Sequence, residues 1–279
     1  MKWRGRGGGG RIEDRRGAGG LGGGGIPIPM GKAGGGLGLV ILVVYLLFSV
    51  LSGGGGGLGV DPGTGGFGQA APSDAELNQA PADDPAKFVD FVTGDVEAVW
   101  TKLFNQSGQT YEKTIVVLYE QGVSSGCGNT PSTVGPFYCP LDRKVYIDLS
   151  FYRLLQSRFG APGDFAQAYV IAHEIGHHVQ NLRGKLGRGN ASGRESIATE
   201  LQADCLAGAW ARSAEKRDLL EAGDLDEGMT AAAAVGDDAI QRQSEGQVRP
   251  ETWTHGSSEQ RRRAFRRGYQ HGTLDGCGL

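Results

Sequence analysis

The sequence predicts an α+β fold, mainly helical with a small sheet, preceded by one transmembrane helix. Three observations lead there. Beyond residue 85, stretches with apolar residues at helical spacing outnumber the short β-branched runs. Near the N-terminus a single uncharged apolar run has the composition of a membrane span. Between these, His173-Glu174-Ile175-Gly176-His177 repeats a histidine after one helical turn, inside a segment that itself reads as helix.

The N-terminal quarter is set apart by its glycines, 27 of the chain's 50 lying before residue 70. A segment that poor in side chains cannot bury enough surface to offset its ordering entropy, which leaves one folded domain, residues 85–279. Residues 1–32 read as a basic, Gly-rich tail: Lys2, Arg4, Arg6, Arg11, Arg15, Arg16 and Lys32 stand against Glu13 and Asp14, formally +5 in a chain of net −3. An Arg/Gly tail is one signature of nucleic-acid binding. The apolar run next to it favours a membrane, and no nucleic-acid partner is expected. Residues 33–60 carry no charge and include LGLVILVVYLLFSVL from Leu37 to Leu51, with flanking glycines and Leu58 to make up the roughly 20 residues a bilayer requires. The basic flank then places the tail in the cytoplasm and the domain outside. A cleaved signal peptide is the main rival, but the small-residue site Gly68-Gln69-Ala70 lies far beyond the apolar run and no cysteine comes after it to accept a lipid. Residues 61–84, rich in turn formers, read as a flexible linker.

In the domain, Asp84-Pro85 opens a helix whose Phe88, Phe91, Val92, Val96, Val99, Trp100 and Phe104 fall at helical spacing; Gly94 is placed to kink or divide it. Thr114–Tyr119 is short and β-branched, a strand. Cys127 and Cys139 bracket a Gly/Pro loop and fit a disulfide better than a second metal site. Cys205 and Cys277 remain by arithmetic, either a second bridge or, for Cys205 in an apolar helix, a buried thiol. Lys144–Asp148 alternates like a half-buried strand and either offers its edge to an extended peptide or lies inside the sheet. A helix around Phe151–Phe159 comes next, then the helix that carries the paired histidines, capped by Asp164 and stopped by Gly184 and Gly187. Glu200 opens a further helix to about Lys216. Asp224–Gly246 reads as alanine-rich packing helix, with Asp237 and Asp238 given no role, and Ser257 or Ser258 caps a basic C-terminal helix.

Two histidines four apart on one helix face can share one metal ion, and zinc is the expected one, bound by imidazole at about 2.0 Å with a position left open for water. Glu174 between them can reach that water as general base. Glu200 and Asp204 share a face among apolar neighbours. If their helix crosses the first, Glu200 supplies the third ligand and Asp204 holds a ligand histidine by its free ring N–H. His255, and Arg261 six residues on, are candidates for steadying an oxyanion; a capping or core role for His255 is the alternative.

At HEIGHHVQ, with CGNTPSTVGPFYCP, VYIDLSF, GDFAQAYVIAHE, ELQADCLAGAW and THGSSEQR, the chain closely resembles the bacterial putative neutral zinc metallopeptidase family across nearly all of residues 85–279. The resemblance implies a single-span, envelope-facing protein with a zincin-like domain, His173 and His177 as zinc ligands and Glu174 as base; the family's second acidic motif matches Glu200 and Asp204. More distantly, the order HExxH, ExxxD and a Thr-His segment with a later Arg is similar to membrane peptidases that process prenylated proteins, where a proline follows that histidine and Gly256 stands here.

The expectation is a zinc-dependent endopeptidase acting on peptides or proteins, anchored through residues 33–60 on the outer face of a bacterial cytoplasmic membrane. The alternative is a membrane-tethered, zinc-stabilised interaction module that cleaves nothing, distinguished by a fourth protein ligand closing the metal site.

Overall fold

The computed structural model describes residues 1–16, 73, 77, 83–120, 122–131, 135–157, 160–161, 163–186 and 193–279; the span expected at 33–60 and most of the linker at 61–84 lie outside them. Among the described residues no helix is long and apolar enough to cross a membrane. The fold is α+β and mainly helical.

A four-stranded sheet forms one layer. β1 (Ile12–Asp14), β2 (Ile115–Tyr119) and β6 (Lys144–Asp148) run parallel, and β5 (Phe137–Cys139) closes antiparallel on β6, giving the order β1-β2-β6-β5. Period-2 alternation assigns the faces: Val116, Leu118, Val145 and Ile147 join the main core, while Val117, Tyr119 and Tyr146 pack with Cys139 on the other side. β6 is therefore an inner strand. β2 pairs along its whole length on one side and β5 pairs with Lys144, Val145 and Tyr146 on the other, so only Ile147 and Asp148 of its second edge lie beyond the β5 pairing. β3 (Gly122–Ser125) and β4 (Gly128–Pro131) form a separate hairpin, and the Cys127–Cys139 disulfide ties it to β5.

α1 (Asp84–Gln106) begins where the Asp83 carboxylate accepts from the Ala86 N–H, and it continues unbroken through Gly94. The glycine serves a close approach, not a kink: a Cβ there would lie 2.7 Å from the Gly9 carbonyl carbon and 2.8 Å from the Gly10 nitrogen. That contact exposes the largest departure from the sequence reading. Residues 1–16 are not a tail apart from the domain. They lie along α1, add β1 to the sheet, and bury Met1 and Ile12 in its core.

After α2 (Leu149–Ser157), α3 (Asp164–Leu182) runs through the centre with Phe165, Ile171, Ile175 and Val179 wholly buried, as a helix apolar on nearly every side must be. Gly163 occupies its N-cap in place of the expected Asp164 cap. The Asp164 carboxylate instead accepts from the Met1 amino group at 2.6 Å and the Trp3 indole at 3.1 Å. α4 (Gly193–Lys216) crosses α3 where Gly176 faces Ala203, and this crossing brings its acidic residues to the histidines.

The alanine-rich stretch is two helices, α5 (Asp224–Ala234) and α6 (Asp237–Glu245), divided at Gly236, whose Cβ would stand 2.4 Å from the Ser258 nitrogen. α7 (Ser258–His271) starts with a capping box between Ser257 and Gln260. It crosses α4 glycine to backbone: a Cβ on Gly208 would be 2.0 Å from the Phe265 oxygen, and one on Gly268 1.7 Å from the Cys205 oxygen. The Cys205–Cys277 disulfide fixes the same corner, with Cα atoms 5.8 Å apart in the first bridge and 5.6 Å in this one.

Candidate functional site

His173 and His177 on α3 face Glu200 on α4. The Nε2 atom of His173 lies 3.3 Å from Glu200 Oε2, and that of His177 lies 3.4 Å from Oε1. Atoms held about 2.0 Å from one tetrahedral ion stand about 3.3 Å apart, close to these two separations, and one ligand atom from each of the three side chains lies within 4.8 Å of the others, so the group could hold a metal ion. The opposite ring nitrogens are engaged. His173 Nδ1–H donates to Asp204 Oδ1 at 2.9 Å, and His177 Nδ1–H donates to Gln180 Oε1 at 2.8 Å, which turns both Nε2 atoms toward Glu200. Gln180 is itself fixed, donating to the Thr199 carbonyl and to Gln202 on α4.

Asp204 is the hub behind the histidines. Wholly buried, it accepts from Tyr169 Oη–H and from Arg261 Nε at 2.8 Å and Nη2 at 2.9 Å. Burial pushes its carboxyl up, and the Arg261 charge more than reverses this, holding it below the ordinary aspartate range. Burial likewise pulls His173 down, yet the Asp204 charge raises it to about 9. Glu200 is held well below the glutamate range because His177 and His173 outweigh its desolvation. Glu174 goes the other way: buried, and with its histidine neighbours only partly compensating, it is raised. A carboxylate raised by burial, beside a group that could hold a metal ion, is suited to proton transfer.

Arg261 thus sits behind His173, its fork spent on Asp204, with Nη2 3.9 Å from Glu200 Oε2. His255 precedes α7 and is held by Asp237: the ring Nδ1–H donates to Asp237 Oδ1 at 3.0 Å, while Oδ2 accepts the backbone N–H groups of Thr254, His255 and Gly256 at 2.7 to 2.9 Å. Asp237, given no role from sequence, is a residue of the site. Asp238 beside it caps α7 through Ser258. His178, next to the ligand pair, is structural, donating from Nε2 to the Glu112 carbonyl and accepting from Tyr138 on β5. Gln180 was detectable as the polar residue three after a ligand on the same helix; Asp237 lies 18 residues before His255, and no periodicity joins them.

Comparison with known proteins agrees with this geometry. The sequence matches, over residues 1–279, the family described as putative neutral zinc metallopeptidase. The chain belongs to that family. The protein YpfJ of Escherichia coli K12 is similar to this metallopeptidase-family chain at 46% identity over 204 residues, covering 70% of this chain and 71% of YpfJ. Proteins Mb2605 of Mycobacterium bovis and Rv2575 of Mycobacterium tuberculosis H37Rv are each 42% identical over 248 residues, covering 79% of this chain and 83% of theirs. All three relatives carry the description uncharacterized. No solved structure matches. The family match includes Met1–Arg16, the residues the fold incorporates as β1 and its lead-in.

Proposed function

We propose that the protein is a zinc-dependent endopeptidase that hydrolyses peptide bonds with Glu174 as general base. The observation that carries this reading is the convergence of His173, His177 and Glu200 at 3.3 and 3.4 Å, with their outer nitrogens already committed. Among the described residues that group numbers three, with no fourth His, Cys, Asp or Glu joining it. Three protein ligands are the complement of a catalytic zinc, and four of a structural one, so the grouping favours the peptidase over the interaction module. Zinc held there would supply a polarised carbonyl and an acidified water.

The chain's own groups do the rest. Glu174 takes the proton of the attacking water and returns it to the leaving amine, work suited to a carboxylate that burial has made more basic. Asp204 and Gln180 keep the ligand histidines in one tautomer and one orientation. Asp237 fixes the orientation of His255, and against the burial that lowers it the Asp237 hydrogen bond and the Glu200 charge raise its pKa, which suits it to steady a developing oxyanion. Arg261 acts through Asp204, orienting His173. The two disulfides support a location outside the cytoplasm, and the uncharged run at 33–60 supports attachment to the cytoplasmic membrane.

The test is digestion of a mixed peptide library by the purified full chain. Cleavage should occur, stop with a chelator and return with zinc. Glu174→Gln should bind zinc as the parent does and cleave nothing. A library left intact by zinc-loaded parent protein would transfer the site to the interaction-module reading.

A further inference from the structure

We propose that the N-terminal arm, Met1–Arg16, occupies the same compartment as the domain it packs on. It differs from the opposite-side placement of the tail that a basic flank and an apolar run suggest, and it stands independently of the metal-site reading.

The arm is built into the fold by backbone as well as side chain. The Val116 N–H donates to the Arg11 carbonyl at 2.8 Å and the Arg15 N–H to the Leu118 carbonyl at 2.8 Å, in a register that sets Ile12 beside Val116 and Asp14 beside Leu118. Upstream, the Lys2 N–H donates to the Leu219 carbonyl at 2.8 Å, and Trp3 packs edge-on against Phe88 with centroids 5.3 Å apart. Between these anchors Gly9 and Gly10 cross α1 at Gly94, their N–H groups on Asp90 Oδ1 at 3.2 and 2.9 Å. The glycines of the arm and the glycine of the helix answer one another, and a larger side chain at Gly10 or Gly94 would lift the arm away.

Topology follows from two contacts. Hydrogen bonds of this length cannot be made across a hydrocarbon core roughly 30 Å thick. And Arg16 Nη1 lies 2.8 Å from Asp83 Oδ2, so the two ends of the intervening segment meet at one point on the domain. The charges agree. The orientation rule takes the basic flank as free, but here Lys2 pairs with Asp218 at 2.7 Å, Arg4 with Asp84 at 3.2 Å, Arg15 with Glu13 at 2.6 Å, and Arg16 with Asp14 and Asp83. The disulfides assign the shared compartment to the oxidising side.

The test uses the full chain in living cells. A Cβ on Gly8 would lie 2.1 Å from Asp90 Cγ, which puts a Gly8→Cys/Asp90→Cys pair within bridging reach. An intrachain disulfide between the two introduced cysteines, found by non-reducing peptide mapping of cells quenched before lysis, is the expected result. Intact native bridges with positions 8 and 90 unlinked would overturn it. Because that pair removes the Asp90 acceptor, a second arm uses single cysteines at exposed sites, Arg4→Cys on the arm and Val248→Cys on the domain, whose wild-type side chain and residue are 75% and 38% exposed. A membrane-impermeant maleimide should label both in intact cells, each to the extent it reaches after lysis. Labelling of Val248→Cys alone until lysis would place the arm across the membrane and end the proposal. Protection of both until lysis would uphold the shared compartment and overturn only its assignment to the outside.

Discussion

Two histidines in this protein, His173 and the part-buried His255, are gripped at Nδ1 by an aspartate, and the two grips are built from different materials. Asp204 holds His173 and is answered by side chains, the Arg261 fork and the Tyr169 hydroxyl, which come from two other helices. Asp237 holds His255 and is answered by three consecutive backbone N–H groups of the loop that carries that histidine. The first grip is a buried ion network that joins α3, α4 and α7. The second is a local turn organised around one carboxylate. The first should therefore report on metal affinity and global stability together, the second on turnover.

The comparison is bounded first by the ligand that neither aspartate supports directly. Glu200→Ala should lower zinc affinity by more than about 100-fold, since two imidazoles alone are not a catalytic zinc set; zinc titration against a competing chelator measures it, and unchanged affinity would move the third ligand elsewhere. Next, Asp204→Ala should cost about 10 to 100-fold in zinc affinity and about 3–5 kcal/mol in stability, the latter because Arg261 is left buried without its partner. Adding Arg261→Met should recover much of the stability and none of the affinity. Recovery of both would show that the network serves packing alone. Asp237→Asn should leave zinc binding unchanged and reduce kcat about tenfold with little change in KM, read from initial rates on any peptide the parent cleaves. A fall in zinc affinity equal to that of Asp204→Ala would erase the distinction.

The smallest effect concerns a buried carboxylate with neither kind of grip. Glu97 on α1 accepts from the Thr114 N–H, and burial raises it from an ordinary value of 4.5 to about 7. The folded protein thus keeps this proton over a range where the unfolded chain releases it. The group costs nothing below pH 4.5, and its penalty grows as the pH rises to 7 and then levels. Glu97→Gln should raise stability at pH 8 by on the order of 1–3 kcal/mol and leave it unchanged at pH 4. Chemical denaturation at the two pH values checks this; an equal shift at both would mean that the proton is not involved.

The Asp204 grip was legible in the sequence and the Asp237 grip was not, for a geometric reason. Glu200 and Asp204 lie one turn apart on one helix, as do His173 and His177, so spacing alone sets each pair on a common face; the family resemblance then put the two faces together. His255 and Asp237 meet only because the loop after α6 turns back on the start of that same helix before α7 begins, and Gly236 permits that approach. The arm was hidden by composition. Four consecutive glycines, Gly7 to Gly10, average out as linker, although two of them pass closely over a helix and the strand Ile12–Asp14 comes directly after. Gly94 in the middle of an otherwise strong helix was the one signal of it, and without a partner in view it reads as a weak point.

The Cys205–Cys277 bond encloses 72 residues of sequence separation, and inside that interval lie α5, α6, Asp237, His255 and Arg261. Closing a loop of that size contributes roughly 4 kcal/mol in the chain-entropy model, a large part of a domain's usual margin. The bond forms only where thiols are oxidised. Where thiols stay reduced, the segment from α5 to α7 is therefore held by non-covalent contacts alone, and hydrogen exchange in it should be faster. Rigidity at this corner is then set by the redox state of the surroundings as much as by packing.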